Sequence, residues 1–254
     1  MKSKYKEILI MTILLCLATA SAAFALRPLV FRAEKTQEIR AQVREFERNK
    51  HKSEIQKALD ELHESEAALK PTPEPRAYGN LFKEIQRYNM ALYTLKQREL
   101  TSKTAYELSQ FALTAYGVPD ETFGVISIPA MELEMPLFLG ASEENMANGA
   151  AVLSQTSIPI GGRDTNAVIA GHRGYGGYDY FRHIDKLEPG DEVIITNLWD
   201  TLTYRVTDIK IVSPDDINAI LIQPGKDMIT LLTCHPYASG GKYRYLVYCE
   251  RVIE

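Results

Sequence analysis

Three textures follow one another along the chain. From Ile8 to Leu26 no residue is charged, and the run follows Lys2, Lys4 and Lys6. Such a stretch suits either a membrane-spanning helix or a secretory signal, and both place the remainder outside the cytoplasm. Ala20-Ser21-Ala22 and Ala23-Phe24-Ala25 are candidate cleavage triplets, while Arg27, Arg32 and Lys35 beyond the run blur the charge asymmetry that orients a span. The length of the run favours an uncleaved anchor over residues 8–26, with 1–7 cytoplasmic. Cys16, within it, reads as a small apolar filler.

The second texture, residues 27–120, is charged but periodic. Ile39, Val43 and Phe46, and again Ile55, Leu59 and Leu62, fall at i, i+4, i+7, a narrow apolar stripe on a helix. Pro71, Pro73 and Pro75 then interrupt the pattern and predict an extended linker over 71–75. Beyond it, Leu81, Ile85, Tyr88, Leu92 and Leu95 predict another helix, and Leu108, Phe111, Ala112 and Ala115 a further one, ended by Gly117 and Pro119. With no cluster of chemically capable side chains, this region reads as a helical spacer or packing partner.

The third texture, residues 121–254, turns to short β-rich runs bounded by turn residues: Phe123–Pro129, Met135–Leu139, Asn166–Ala170, Asp191–Thr196, Leu202–Val206, Met228–Thr233 and Tyr245–Tyr248. Two helical stretches are expected among them, around Ser142–Ala151 and Tyr178–Ile184. The fold class is therefore mostly β, a sandwich or barrel.

Composition narrows the function. Hydrophobic residues at 45% and charged residues at 24% match a folded globular chain. With 29 Lys and Arg against 33 Asp and Glu, the formal charge is −4, which leaves no basic excess for a phosphate backbone and argues against nucleic acid as a partner. Cys16, Cys234 and Cys249 form neither a metal-binding pair nor a disulfide framework.

Cys234 ends an apolar strand, and Tyr243-Arg244-Tyr245 opens the next after a loop holding Gly240 and Gly241. A hairpin centred on Ser239 opposes Arg244 to Cys234, with Cβ atoms ~5 Å apart. The same register puts Cys249 opposite Ile229, ~16 Å along the strand from Cys234 and beyond disulfide reach. A free thiol with a pKa of ~8.5 is mostly protonated at neutral pH, so a reactive one needs a neighbouring cation or base. Of the histidines, His51 and His63 lie in charged helices, His183 in a short helical stretch, and His235 on the strand face opposite Cys234, where it reads as a loop residue. His172 is the better partner, because it follows the buried strand Asn166–Ala170 and precedes the glycine-rich Arg173-Gly174-Tyr175-Gly176-Gly177.

Taken in order, Asn166–Gly174, Lys186-Leu187-Glu188-Pro189-Gly190-Asp191, Thr230–Tyr237 and Arg244 resemble the sortases, cysteine transpeptidases of Gram-positive cell surfaces. Leu137–Glu144 and Ser157–Gly162 look most similar to the class C, pilin-polymerising branch. The resemblance covers roughly Glu121 to Ile253. It implies an eight-stranded sortase-type β-barrel with Cys234 as nucleophile, His172 as acid/base and Arg244 as the cation supporting substrate and oxyanion. No cofactor or metal is implied. The implied substrates are pilins or surface proteins carrying an LPxTG-like sorting signal, cut between Thr and Gly. The acceptor is a pilin lysine or a peptidoglycan crossbridge amine.

The chain departs from class C in having no Asp-Pro pair for the usual Asp-Pro-aromatic lid. It also ends at Glu254, shortly after its last strand, where a second membrane helix is common, and it carries His235 where threonine is usual. These features point to an atypical, lidless member. Two rival readings are a cysteine hydrolase releasing product to water and a non-enzymatic, membrane-tethered pilus assembly protein.

Overall fold

The computed structural model describes residues 11, 27, 30–53, 76–95, 97 and 106–253. Apart from Met11, the 8–26 run lies outside the described residues, as do Cys16, His63, the Ile55–Leu62 stripe and the Pro71–Pro75 linker. Among the described residues no helix is long and apolar enough to cross a membrane.

Helix α1 occupies residues 30–53 and α2 Gly79–Thr94. The strands are β1 Thr122–Ile128, β2 Leu133–Leu139, β3 Ala150–Val152, β4 Thr165–Ala170, β5 Glu192–Asn197, β6 Thr201–Val212, β7 Asp227–His235 and β8 Tyr243–Arg251, with the short helix α3, Glu143–Asn148, between β2 and β3. They close into a barrel in the order β1-β2-β3-β4-β7-β8-β6-β5. Closure leaves no unpaired sheet edge. The β2–β3 and β4–β7 contacts are parallel, and the others antiparallel. The architecture is an eight-stranded mixed barrel with short helices, preceded by helices at its amino-terminal side.

The seven strands expected from the sequence are all present, and β6 runs well past Val206 to Val212. The eighth, β3, overlaps the end of the expected Ser142–Ala151 helix. That helix starts as expected, Ser142 Oγ accepting from Asn145 N–H at 3.1 Å, but it stops at Asn148. A Cβ on Gly149 would sit 2.3 Å from Pro136 O. The chain passes directly over β2 at this point and leaves the helix to pair with it. An Ala-Ala-Val strand has little β-propensity of its own and forms because β2 and β4 flank it. The Tyr178–Ile184 stretch is a set of turns leading into a 3-10 helix at Ile184–Lys186.

The expected helix around Leu108–Ala115 reduces to a 3-10 turn, Leu113–Tyr116. Its backbone is engaged elsewhere. Tyr106 O accepts from Ala141 N–H at 2.9 Å and Ser154 N–H at 3.3 Å, and the Glu121 carboxylate accepts from the Leu113 and Thr114 N–H groups at 2.9 and 3.1 Å. Those bonds to other segments replace the intrahelical ladder.

Helices α1 and α2 are packing elements. Ile39 of α1 and Leu81 and Ile85 of α2 join the main barrel core, while Val43 and Phe46 cover Val125. The α1 stripe is therefore the one read from the sequence. On α2 the buried line is Leu81, Ile85 and Asn89, and Leu95 is exposed. The stripe rotates because a polar residue is drawn in: Asn89 Nδ2 donates to Ile158 O at 2.9 Å and Asn89 Oδ1 accepts from Ile158 N–H at 2.9 Å. Trp199 Nε1 donates to Ala77 O at 2.6 Å, and its ring meets Phe82 edge-on at 5.0 Å between centroids.

Asn89→Ala would leave a buried N–H and a buried C=O unpaired, a loss of roughly 2–4 kcal/mol. A urea or guanidinium midpoint measurement checks this. A change below about 0.5 kcal/mol, within the usual range for surface substitutions, would show that α2 docks without that pair.

Candidate active site

The barrel topology sets Cys234, His172 and Arg244 side by side. β4 and β7 run parallel with Ala170 opposite Leu232, and the pairing continues past the end of β4: Gly171 N–H donates to Leu232 O at 3.1 Å and Thr233 Oγ1 donates to Gly171 O at 2.7 Å. Counting on, His172 comes level with Cys234. On the other flank the β7–β8 hairpin opposes Cys234 to Arg244 and Ile229 to Cys249, the register expected from the sequence. The three residues form one row across neighbouring chain segments, each step ~4.8 Å.

Side-chain parity puts the row on one face. Ala167, Ile169, Ile229, Leu231, Val247 and Cys249 belong to the barrel core. The alternate residues Val168, Ala170, Met228, Leu246 and Tyr248 form a separate cluster on the other side of the sheet. Cys234 and Arg244 share the parity of this outer set, and Cys234 is exposed whereas Cys249 is buried. Burial drives the Cys249 thiol pKa far above its ordinary value.

Arg244 Nη1 lies 3.9 Å from Cys234 Sγ and is held by donating to Gly241 O at 2.8 Å and Tyr243 O at 3.2 Å. Gly241 has φ +81°, and a Cβ there would stand 2.9 Å from Arg244 Nη1 and 3.2 Å from Cys234 Sγ. A glycine is needed for both its backbone shape and the space around the thiol.

His172 opens a loop that returns on itself, Phe181 N–H donating to His172 O at 2.9 Å. Its imidazole stacks on Tyr175 at 4.5 Å and 19° and meets Tyr180 edge-on at 6.0 Å. Tyr180 OH donates to Ala147 O at 2.5 Å, tying the loop to α3. Burial lowers the His172 pKa below the ordinary histidine value, with the Glu143 carboxylate pulling the other way. The imidazole is neutral at pH 7 and able to accept a proton. A base, a thiol and a fixed cation in adjacent positions can carry out acyl transfer through sulfur.

The sortase domain model matches residues 126–252. The chain belongs to the sortase family. It is thus a cysteine transpeptidase, of a family of membrane-anchored cell-surface enzymes. Among characterised relatives, Sortase D of Bacillus subtilis (strain 168) is 29% identical over 188 residues, covering 69% of this chain and 90% of that protein. Sortase A of Bacillus anthracis is 32% identical over 127 residues, covering 50% of this chain and 58% of that one. Among solved structures, Sortase C1 of GBS Pilus Island 1 is similar with a TM-score of 0.64 at 29% identity, covering 70% of this chain and 90% of that one. Sortase C from Clostridium perfringens SM101 has a TM-score of 0.57 at 30% identity, covering 77% and 97%.

In this sortase the other histidines among the described residues stay apart from the row. His183 Nε2 is 3.9 Å from Asp179, and His51 lies at the end of α1. His235 projects away from Cys234 as parity requires, yet it is the last residue of β7 and not a loop residue. Its Nδ1 meets Arg173 Nη1 at 2.8 Å. Tyr175, Tyr180, Glu143, Gly241 and Arg173 escaped the sequence reading as site residues. The glycine-rich context of Arg173, Tyr175 and Gly241 was the one signal that could have found them; Tyr180 is brought in by the fold of the loop after His172, and Glu143 by a different element.

The imidazole of His172, followed by its NMR ring-proton shifts, should titrate below the ordinary value of ~6.5. Because Glu143 raises that pKa, Glu143→Gln should move the midpoint further down. An upward shift in that variant would contradict the assignment of cause.

Proposed function

We propose that this sortase cuts an LPxTG-like sorting signal between Thr and Gly and joins the acyl group to a lysine amine of a pilin subunit. The observation that carries the reading is the row His172–Cys234–Arg244, in which a base and a cation flank one exposed thiol. Cys234 Sγ attacks the Thr carbonyl carbon while its proton passes to neutral His172. Arg244 donates to the developing oxyanion or to the signal backbone. As the C–N bond breaks, His172 returns the proton to the departing Gly amine, leaving a thioester on Cys234. The lysine amine then attacks that thioester, His172 removes its proton, and the thiol is regenerated as the isopeptide bond forms. Leu232, two residues before Cys234 on the same face, is partly exposed and offers apolar surface for the signal.

Likeness to Sortase C1 of GBS Pilus Island 1 supports the pilin acceptor. The alternative acceptor, a peptidoglycan crossbridge amine, uses the same row. Residues 8–26 would hold the enzyme on the membrane with the catalytic barrel, 121–254, outside and the helical region 27–120 between them.

Incubating the full chain with a pilin and a crossbridge peptide, and reading products by mass spectrometry, tests the assignment. A lysine-linked ladder is expected. Product joined only to the crossbridge peptide would make this an anchoring enzyme, and free acid alone a hydrolase. Cys234→Ala should abolish thioester and ladder, while Cys249→Ala should keep both, its effect confined to stability. Arg244→Lys retains the charge but loses the planar fork, so kcat should fall about 10–100-fold. Near-normal turnover there would reduce Arg244 to a simple point charge.

A further inference from the structure

Directly behind the reactive row lies a second cluster that the chemistry above does not use. Arg173 follows His172, and His235 follows Cys234, so both take the opposite parity and turn into the mouth of the barrel. The Arg173 side chain is only 7% exposed, and its Nη2 reaches Asp185 Oδ1 at 3.4 Å. Nη1 meets His235 Nδ1 at 2.8 Å. The guanidinium carbon stands 5.3 Å over the Tyr245 ring, and the His235 ring lies 5.5 Å from the same tyrosine. Among the described residues Arg173 Nε has no hydrogen-bond partner, so a buried charge is retained here at some cost.

Arginine can only donate. His235 Nδ1 must therefore accept, which makes the imidazole neutral with its proton on Nε2. The bond spans the two parallel chain ends at positions 173 and 235, one residue past 172 and 234. Backbone pairing is last seen at Gly171–Leu232, followed by the Thr233 hydroxyl donating to Gly171 O. Beyond that point the Arg173–His235 bond joins the two ends side chain to side chain, and Gly174 lies against the Tyr237 ring further on.

We propose that Arg173 and His235 are positioning residues for the transpeptidation reaction, a clamp across the ends of β4 and β7 that holds the base at its working distance from the thiol. The proposal rests on the roles assigned above to His172 and Cys234. Displacing a base by a fraction of an ångström slows proton transfer without changing how the sorting signal is gripped. The loss should therefore appear in kcat and not in KM.

The test is single-turnover thioester formation and steady-state kinetics of the full chain with a sorting-signal peptide, alongside thermal unfolding. His235→Ala should lower kcat about tenfold with KM changed less than about twofold. His235→Asn should recover activity to within about threefold of the parent, because its Oδ1 can accept near the place of Nδ1. His235→Lys, which sets a second cation against Arg173, should be no better than His235→Ala. If the two residues act as a pair, His235→Ala introduced into Arg173→Met should cost less than about threefold more. Should Arg173→Met fail to fold, the comparison of Ala with Asn at 235 still decides. The clamp is overturned if His235→Asn is as slow as His235→Ala, or if His235→Ala turns over at the parental rate. Turnover by Cys234→Ala or His172→Ala in the same assay would overturn the underlying reading, whatever the 235 variants do.

Discussion

The parallel pairing of β4 with β7 is the constraint on which the site depends. Parallel neighbours end at the same edge of the sheet, so the residues just beyond the two strand ends emerge at one place. Here those continuations are His172 and Cys234. The connection between two parallel strands must travel around the fold, and residues 171–226 do so by carrying the loop after His172, β5 and the long β6. β8 then returns from Cys234 by a hairpin and brings Arg244 to the third position. One parallel and one antiparallel contact thus place three chemically different groups in a line.

Alternation along the strands separates two jobs by a single residue. The even-numbered positions of β7 and β8 near the site face outward, where Cys234 is accessible and Arg244 can meet it. The odd-numbered positions face the barrel, where Ile229, Leu231, Val247 and Cys249 make the core. Arg173 and His235 occupy the mouth of that interior. A slip of one residue in the β7–β8 register would exchange the two sets, burying the Cys234 thiol and exposing the core. The same alternation separates the two barrel cysteines, leaving Cys234 open to solvent and Cys249 enclosed.

The amino-terminal helices are bound into this arrangement and are not separate from it. Ile39, Leu81 and Ile85 contribute to the barrel core. The start of α1 touches the loop that follows His172: the Phe31 ring lies against Gly176 and Gly177, and Arg32 pairs with Asp179. A cleft of about 530 Å³ lies between α1, the β1–β2 connection and that loop. The residues that come after the apolar amino-terminal run therefore reach the neighbourhood of the active site through α1.

By itself, the sequence determined the strands with strong β-branched runs, the α1 stripe, the first half of α2 and the β7–β8 register. These are local properties, since alternation, helical periodicity and a glycine-containing turn each act within about a dozen residues. The register followed from the loop centre alone, which is why Cys234 could be set against Arg244 before any fold was known. Only the tertiary structure decided the rest. β3 exists because its neighbours supply hydrogen bonds that Ala-Ala-Val would not seek, and the 108–115 segment gives up its helix because distant groups take its backbone bonds. Asn89 turns inward for a partner 69 residues away, and Tyr180 reaches the site by bonding to α3. The Arg173–His235 pair joins residues 62 apart. No periodicity signals such contacts, because they are set by which strands lie side by side, and that order depends on closing the whole barrel.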